Sequence, residues 1–195
     1  MTELAENGEY MEILGTDGDD LIMGTEDPDK IDAGDGNDTV FGNGGGDYIF
    51  GGRGADKLVG GRGNDTIYGG NGKDIVRGGA EDDYLFGEGG SDVVDGGRGN
   101  DFVSGGGGND TLRGGSGFDI FFFTTKGSND VIKDYTDADD TIELNNIASV
   151  GDFAAVMAAS QQVGDDVLID LGADGSVLLE DTNLGDLDAG DFIFS

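Results

Sequence analysis

From Gly15 onward the chain falls into a nine-residue frame that holds without a gap to Phe122, twelve units covering 108 of its 195 residues. Units such as GNGGGDYIF, GGRGADKLV, GGRGNDTIY and GGNGKDIVR follow one another in register. Position six is aspartate in every unit: Asp20, Asp29, Asp38, Asp47, Asp56, Asp65, Asp74, Asp83, Asp92, Asp101, Asp110 and Asp119. Position eight is always apolar: Ile22, Ile31, Val40, Ile49, Leu58, Ile67, Val76, Leu85, Val94, Val103, Leu112 and Phe121. Glycine holds position one in eleven units and position four in ten. A fixed period of this kind is the signature of a stacked repeat architecture.

The composition of the unit dictates its shape. Paired glycines reach φ > 0 and turn the chain tightly. The three residues after the aspartate are mostly β-branched or aromatic and favour a short strand. Strand alternation turns the middle one inward and its neighbours outward. One turn and one strand cannot bury an apolar side chain alone, so the units must stack. Twelve inward side chains are also few to offset the entropy of ordering 108 residues.

Composition excludes several functions. The chain has no cysteine and no histidine, hence no disulfide, no zinc site of the usual kind, no thiol nucleophile and no Ser-His-Asp triad. A formal charge of -32 argues against nucleic acid and against anionic membrane as partners. No apolar run approaches the ~18 residues of a membrane span. The opening MTELAENGEYMEILG lacks an apolar h-region, so no Sec signal peptide is expected.

The GGxGxD units with an apolar residue two positions beyond the aspartate resemble the RTX (hemolysin-type) calcium-binding nonapeptide repeats. The resemblance implies an all-β fold: a right-handed parallel β-roll in which two nonapeptides make one coil, about six coils here. The expected organisation is an N-terminal cap or arm over 1–14, the roll over 15–122, and a small α/β C-terminal cap over 123–195. Position-six aspartates would then stack on each edge every 18 positions, ~4.8 Å apart. Carboxylates so placed repel unless a cation lies between them, and several flexible oxygen ligands favour Ca²⁺. The resemblance implies that all twelve aspartates are metal ligands, each ion sitting between neighbouring loops and taking loop carbonyls as well. Five gaps on each of two edges offer ten sites. Asp27-Pro28 in the second unit and Glu81 in the eighth depart from the pattern on one edge, giving an expectation of 7–10 bound Ca²⁺ and a roll that folds on calcium.

Outside the repeat, Tyr10, Ile13 and Leu14 are candidates to cover the first coil, since terminal repeats need caps. Asp130–Tyr135 and Asp140–Leu144 alternate as strands. Ser149-Val-Gly-Asp152 reads as a capping box opening a helix to about Gln162, and Asp165–Leu171 with Ser176–Glu180 as a hairpin. The Phe-rich tail ending Asp191-Phe192-Ile193-Phe194 resembles the uncleaved C-terminal signals that type I secretion machinery reads in RTX proteins. It implies a secreted, extracellular protein of a Gram-negative bacterium.

Eight of the ten basic residues lie in the repeat block, among them Arg53, Arg62 and Arg98 at position three, with Lys57, Lys73, Arg77 and Arg113 nearby. Their expected role is to offset carboxylate charge. The alternative is an acidic-polysaccharide module, since the RTX rolls of mannuronan C5-epimerases hold alginate along such surfaces. No enzymatic activity is expected: the HExxH motif of serralysin-type proteases needs histidine, and no acid pair stands apart from the ladder as a glycosidase pair would. Thr39, Thr66 and Thr111 are too few for the regular threonine rows of an ice-binding roll.

Overall fold

The computed structural model describes residues 2–4, 10–124, 127–137 and 139–195; residues 1 and 5–9 of the expected N-terminal arm lie outside them. Two ten-stranded sheets run side by side through the whole molecule. The first takes alternate repeat strands from Met11–Thr16, Asp29–Gly34 and Tyr48–Arg53 through Ile120–Phe123. The second takes the intervening strands, from Leu21–Met23, Thr39–Gly44 and Lys57–Arg62 through Thr111–Ser116. Pairing within the repeat is parallel at a separation of 18, for example Ile49 with Ile67 and Leu58 with Val76. Two nonapeptides therefore make one coil, as the period requires.

All twelve position-eight side chains are buried, eleven of them completely, and they form one continuous core between the sheets. Neighbouring positions seven and nine face out. On the first sheet those outward positions build an aromatic stack: Phe50, Tyr68 and Phe86 lie nearly parallel, their centroids 5.2 and 4.9 Å apart. Phe102 and Phe122 continue it.

The roll does not stop where the nonapeptides do. Ser128–Ile132 and then Gly175–Leu179 extend the second sheet in parallel, and Thr141–Leu144 and then Phe192–Phe194 extend the first. The solenoid thus has about seven turns. The C-terminal Phe192–Phe194 is a packed strand of the first sheet, with Phe192 against Phe153 at 5.9 Å.

The cap holds the helix, Phe153–Ala159, shorter than its sequence pattern predicts. Asp152 alone is the N-cap, accepting the Ala155 N–H at 2.8 Å, while the Ser149 hydroxyl donates to the Leu171 carbonyl. Ser160–Val163, expected as the helix end, is instead an antiparallel strand on Asp166–Asp170, which pairs in turn with Gly175–Leu179. Pairing at the open edge outweighs the weak helix preference of Ser and Val there. At the other end Met11–Thr16 joins the first sheet beside Asp29–Gly34, with Thr2–Leu4 antiparallel outside it. Of the three proposed covering residues only Ile13 packs on the core; Tyr10 and Leu14 point to solvent.

Candidate metal centre

Loops running from the first sheet to the second carry Asp20, Asp38, Asp56, Asp74, Asp92 and Asp110 in one column. Loops running back carry Asp29, Asp47, Asp65, Asp83, Asp101 and Asp119 in another. Eleven of the twelve are at most 2 % exposed; Asp20, in the first coil, is half-buried. The columns are locked by a repeated hydrogen bond. From Asp38 to Asp119 each repeat aspartate accepts at Oδ1 the backbone N–H of the aspartate 18 residues before it, as Asp47 does from Asp29, Asp74 from Asp56 and Asp92 from Asp74, all at 2.8 Å. Oδ1 of Asp29, in the first coil, is buried without a partner.

Two further members belong to the ladder. Asp130 Oδ1 accepts the Asp110 N–H at 2.9 Å, and Asp140 Oδ1 accepts the Asp119 N–H at 3.1 Å. From the sequence both are expected as strand residues and lie outside the predicted ligand set. The signal was there: Asp130-Val-Ile and Asp140-Thr-Ile repeat the aspartate–x–apolar triplet of every unit. Spacings of 20 and 21 instead of 18 hid them.

The backbone of the loops explains the glycines. Positions two and four take left-handed φ, as in Gly52 (102°) and Gly54 (134°). At position four the loops also touch: a Cβ on Gly90 would lie 1.4 Å from the Gly72 carbonyl oxygen. Position-one glycines keep φ < 0 but leave room for the carboxylate, since a Cβ on Gly60 would stand 2.1 Å from Asp65 Oδ2. Glu81, which departs from the glycine pattern, adopts φ 75° and preserves the loop. Its Oε2 accepts the Gly63 N–H of the coil before.

With Oδ1 occupied, the second oxygen decides the chemistry. Oδ2 of Asp38, Asp47, Asp56, Asp65, Asp74, Asp83, Asp92 and Asp101 is buried without a hydrogen-bond partner in the protein. Leaving a buried acceptor unsatisfied is costly, and a charged one more so. The carboxyl groups respond accordingly. Burial, with neighbouring aspartates adding repulsion, pushes Asp47 and Asp56 up to about 6, Asp65 and Asp101 to about 7, and Asp83 to about 8. Asp92 likewise rises to about 7, and Asp130 and Asp140 to about 6. The cationic side chains Lys30, Arg53 and Lys133 pair elsewhere, with Glu12, Asp35 and Glu180.

Among the described residues no three acidic side chains converge on one point. A cation between loops would therefore take carboxylates from the column and complete its shell with backbone carbonyls. Oxygen donors of this kind fit a hard cation with flexible, high coordination.

A parallel β-solenoid that stacks buried, unpartnered carboxylates along both edges defines a cation-binding repeat scaffold. The model of the RTX calcium-binding nonapeptide repeat matches it in four copies, over residues 14–49, 50–85, 68–103 and 86–121. The chain belongs to this family and is a calcium-binding repeat module. No curated protein matches it in sequence. Among solved structures it is similar to the extracellular lipase LipA from Serratia marcescens, with a TM-score of 0.50 and 18 % identity over 94 % of this chain. It spans 40 % of the lipase's length. The AlgE6R3 subunit of the Azotobacter vinelandii mannuronan C5-epimerase also matches, with a TM-score of 0.35 and 22 % identity over 93 % of this chain and 81 % of that one.

Proposed function

We propose that this protein is a secreted RTX module that folds on calcium, its position-six aspartates holding the ions between successive loops. The observation that carries this reading is the pair of columns of buried carboxylate oxygens without protein partners. Bound Ca²⁺ supplies the positive charge that lets those groups remain ionised in the interior. The residues do the rest. Oδ1 holds the register through the preceding coil's N–H, the glycines bring loop carbonyls to the same edge, and position eight closes the core behind them. Residues 123–195 extend the roll beyond the nonapeptides and act as its C-terminal cap. Circular dichroism with Ca²⁺ and with excess chelator tests the proposal. Strand signal should appear with the metal and collapse without it; a spectrum unchanged by chelator would refute calcium-dependent folding.

The export reading follows from the same dependence. Free Ca²⁺ is scarce inside cells, so the chain would reach a type I exporter unfolded, with Asp191-Phe192-Ile193-Phe194 readable. Once folded, that strand is packed into the first sheet. Fusion of residues 123–195 to a reporter in a strain carrying such an exporter tests it: the reporter should reach the medium, and deletion of 191–195 should retain it.

The basic side chains support charge balance more than a polysaccharide surface. Arg77 and Arg113 flank Asp95 directly across neighbouring strands of the second sheet, so the row alternates in sign. Alginate titrated into the calcium-loaded protein is expected to give no saturable binding.

A further inference from the structure

The two sheets differ in what they show to solvent. Over five successive strands of the first sheet, from Tyr48–Arg53 to Ile120–Phe123, the ten outward positions seven and nine hold no charged residue. They hold seven of the chain's sixteen Phe and Tyr residues instead. The five matching strands of the second sheet, from Thr39–Gly44 to Thr111–Ser116, carry Lys57, Arg77, Asp95 and Arg113 at those positions. In a chain of which 27 % is charged, an aromatic face without charge marks a contact surface.

Along this face runs a groove of about 350 Å³. Its floor is the row Gly34, Gly52 and Gly70, and Thr16 and Glu88 stand in the same row at its two ends. One wall is Phe50 and Tyr68, stacked with centroids 5.2 Å apart. The other is Asp35, Arg53 and Asn71, with Arg53 Nη1 3.4 Å from Asp35 Oδ2. Both members of that pair are exposed, and a guanidinium has five donors, so it keeps some for a ligand. Asp32 stands opposite Phe50 in the preceding strand. The stack therefore begins there with a ring face that no other ring covers among the described residues.

We propose that this groove binds an uncharged polysaccharide chain lying along the roll. Aromatic carbon facing planar carboxylate, guanidinium and carboxamide groups suits a pyranose: its C–H face covers a ring, and its hydroxyls both donate and accept. The coil step of ~4.8 Å is about one pyranose long, so the three steps from Asp32 to Glu88 take about three sugars. Other occupants fit less well. An extended peptide repeats on one face every ~6.6 Å and falls out of register with the coils. An acyl chain would strip water from Asp35, Arg53 and Asn71 and return no hydrogen bond. An acidic polysaccharide would meet three carboxylates, Asp32, Asp35 and Glu88, against the one guanidinium of Arg53. None of the ladder aspartates takes part, so binding needs only the folded roll and goes beyond the calcium reading.

The test offers the calcium-loaded full chain an array of neutral oligosaccharides of gluco, manno, galacto and xylo configuration, with alginate oligomers and phosphatidylcholine vesicles as separate arms. A neutral glycan should be retained. Binding to alginate or vesicles alone, or to nothing, would overturn the proposal. For the retained glycan, calorimetry should show affinity rising with length up to about three sugars and then levelling off. Glu88→Gly suits the φ of 70° at that position and lengthens the floor, so the rise should continue to longer chains. Phe50→Leu, Arg53→Ala and Asn71→Ala should each weaken binding about tenfold, with circular dichroism confirming that each variant is folded. Ile75→Ala and Arg113→Ala, on the second sheet, should leave it unchanged. Binding that survives all three groove variants, or is lost with the second-sheet ones, would refute the groove as the site.

Discussion

At the residue scale, each repeat position answers a different physical demand. Position eight is apolar because its side chain points into the core between the sheets. Position six is aspartate because one short carboxylate must both hold the register of the preceding coil and face the loop interior. Position four is glycine for two separate reasons, left-handed φ and lack of space. Gly90→Ala places a methyl group 1.4 Å from a backbone oxygen that cannot move away. It should cost on the order of 2–4 kcal/mol, read as a lowered unfolding midpoint of the calcium-loaded protein. Gly185, whose nearest neighbour to an added Cβ is a side-chain oxygen at 3.4 Å, makes the control: Gly185→Ala should shift the midpoint little. Glu81 tests the electrostatics. Its charge adds to the repulsion on Asp65 and Asp83, so Glu81→Gln should ease folding of the metal-free chain. It should also weaken calcium binding in the gap between those loops. Calorimetry showing tighter calcium binding by the variant would contradict this.

At the scale of elements, strands matter through what they stack. The Phe50–Tyr68–Phe86 ladder presents its rings face to face along the roll, so each ring covers its neighbours and the edges meet solvent. Such pairs contribute ~0.5–1.5 kcal/mol each beyond buried area. Tyr68→Ala breaks two of them and should destabilise the loaded roll by about 2–3 kcal/mol; Thr66→Ala, beside it on the same strand, should be close to neutral. Equal effects in denaturant unfolding would argue that the stack is incidental. In the cap, Asp152→Ala removes the helix N-cap and should cost about 1 kcal/mol, with hydrogen exchange rising in Phe153–Ala159 and not in the repeat strands.

For the whole molecule the controlling quantity is charge. The repeat block carries 22 acidic and 8 basic residues, a net of -14, and the seven to ten calcium ions expected from its loops would bring +14 to +20. Without metal, protons are the alternative. The buried ladder carboxyls titrate at about 6 to 8 when folded, against an ordinary 3.8. The folded chain therefore binds more protons than the unfolded one across that window, and its stability falls as pH rises. Their contribution is fully present below about pH 4 and lost by about pH 8. In chelator, the chain should show more strand signal at pH 4.5 than at pH 8, and calcium binding should release protons near neutrality. Metal-free protein more ordered at pH 8 than at pH 4.5 would contradict the buried-carboxylate account.

The sequence by itself determined the period, the inward column, the two aspartate columns and hence the parallel solenoid, because every unit in the repeat has the same length and strand alternation allows one inward position. Only the tertiary structure decided where the solenoid ends. An insertion of two residues before Asp130 and of one more before Asp140 breaks the period in the chain, yet the ladder continues unbroken in space. Phe192–Phe194 reads as an isolated apolar strand until its partner, Thr141–Leu144, is known from pairing across some fifty residues. Ser160–Val163 likewise became a strand because a neighbour offered an open edge. Period is a local property of the chain; pairing partners and hydrogen-bond satisfaction are settled only when distant segments meet.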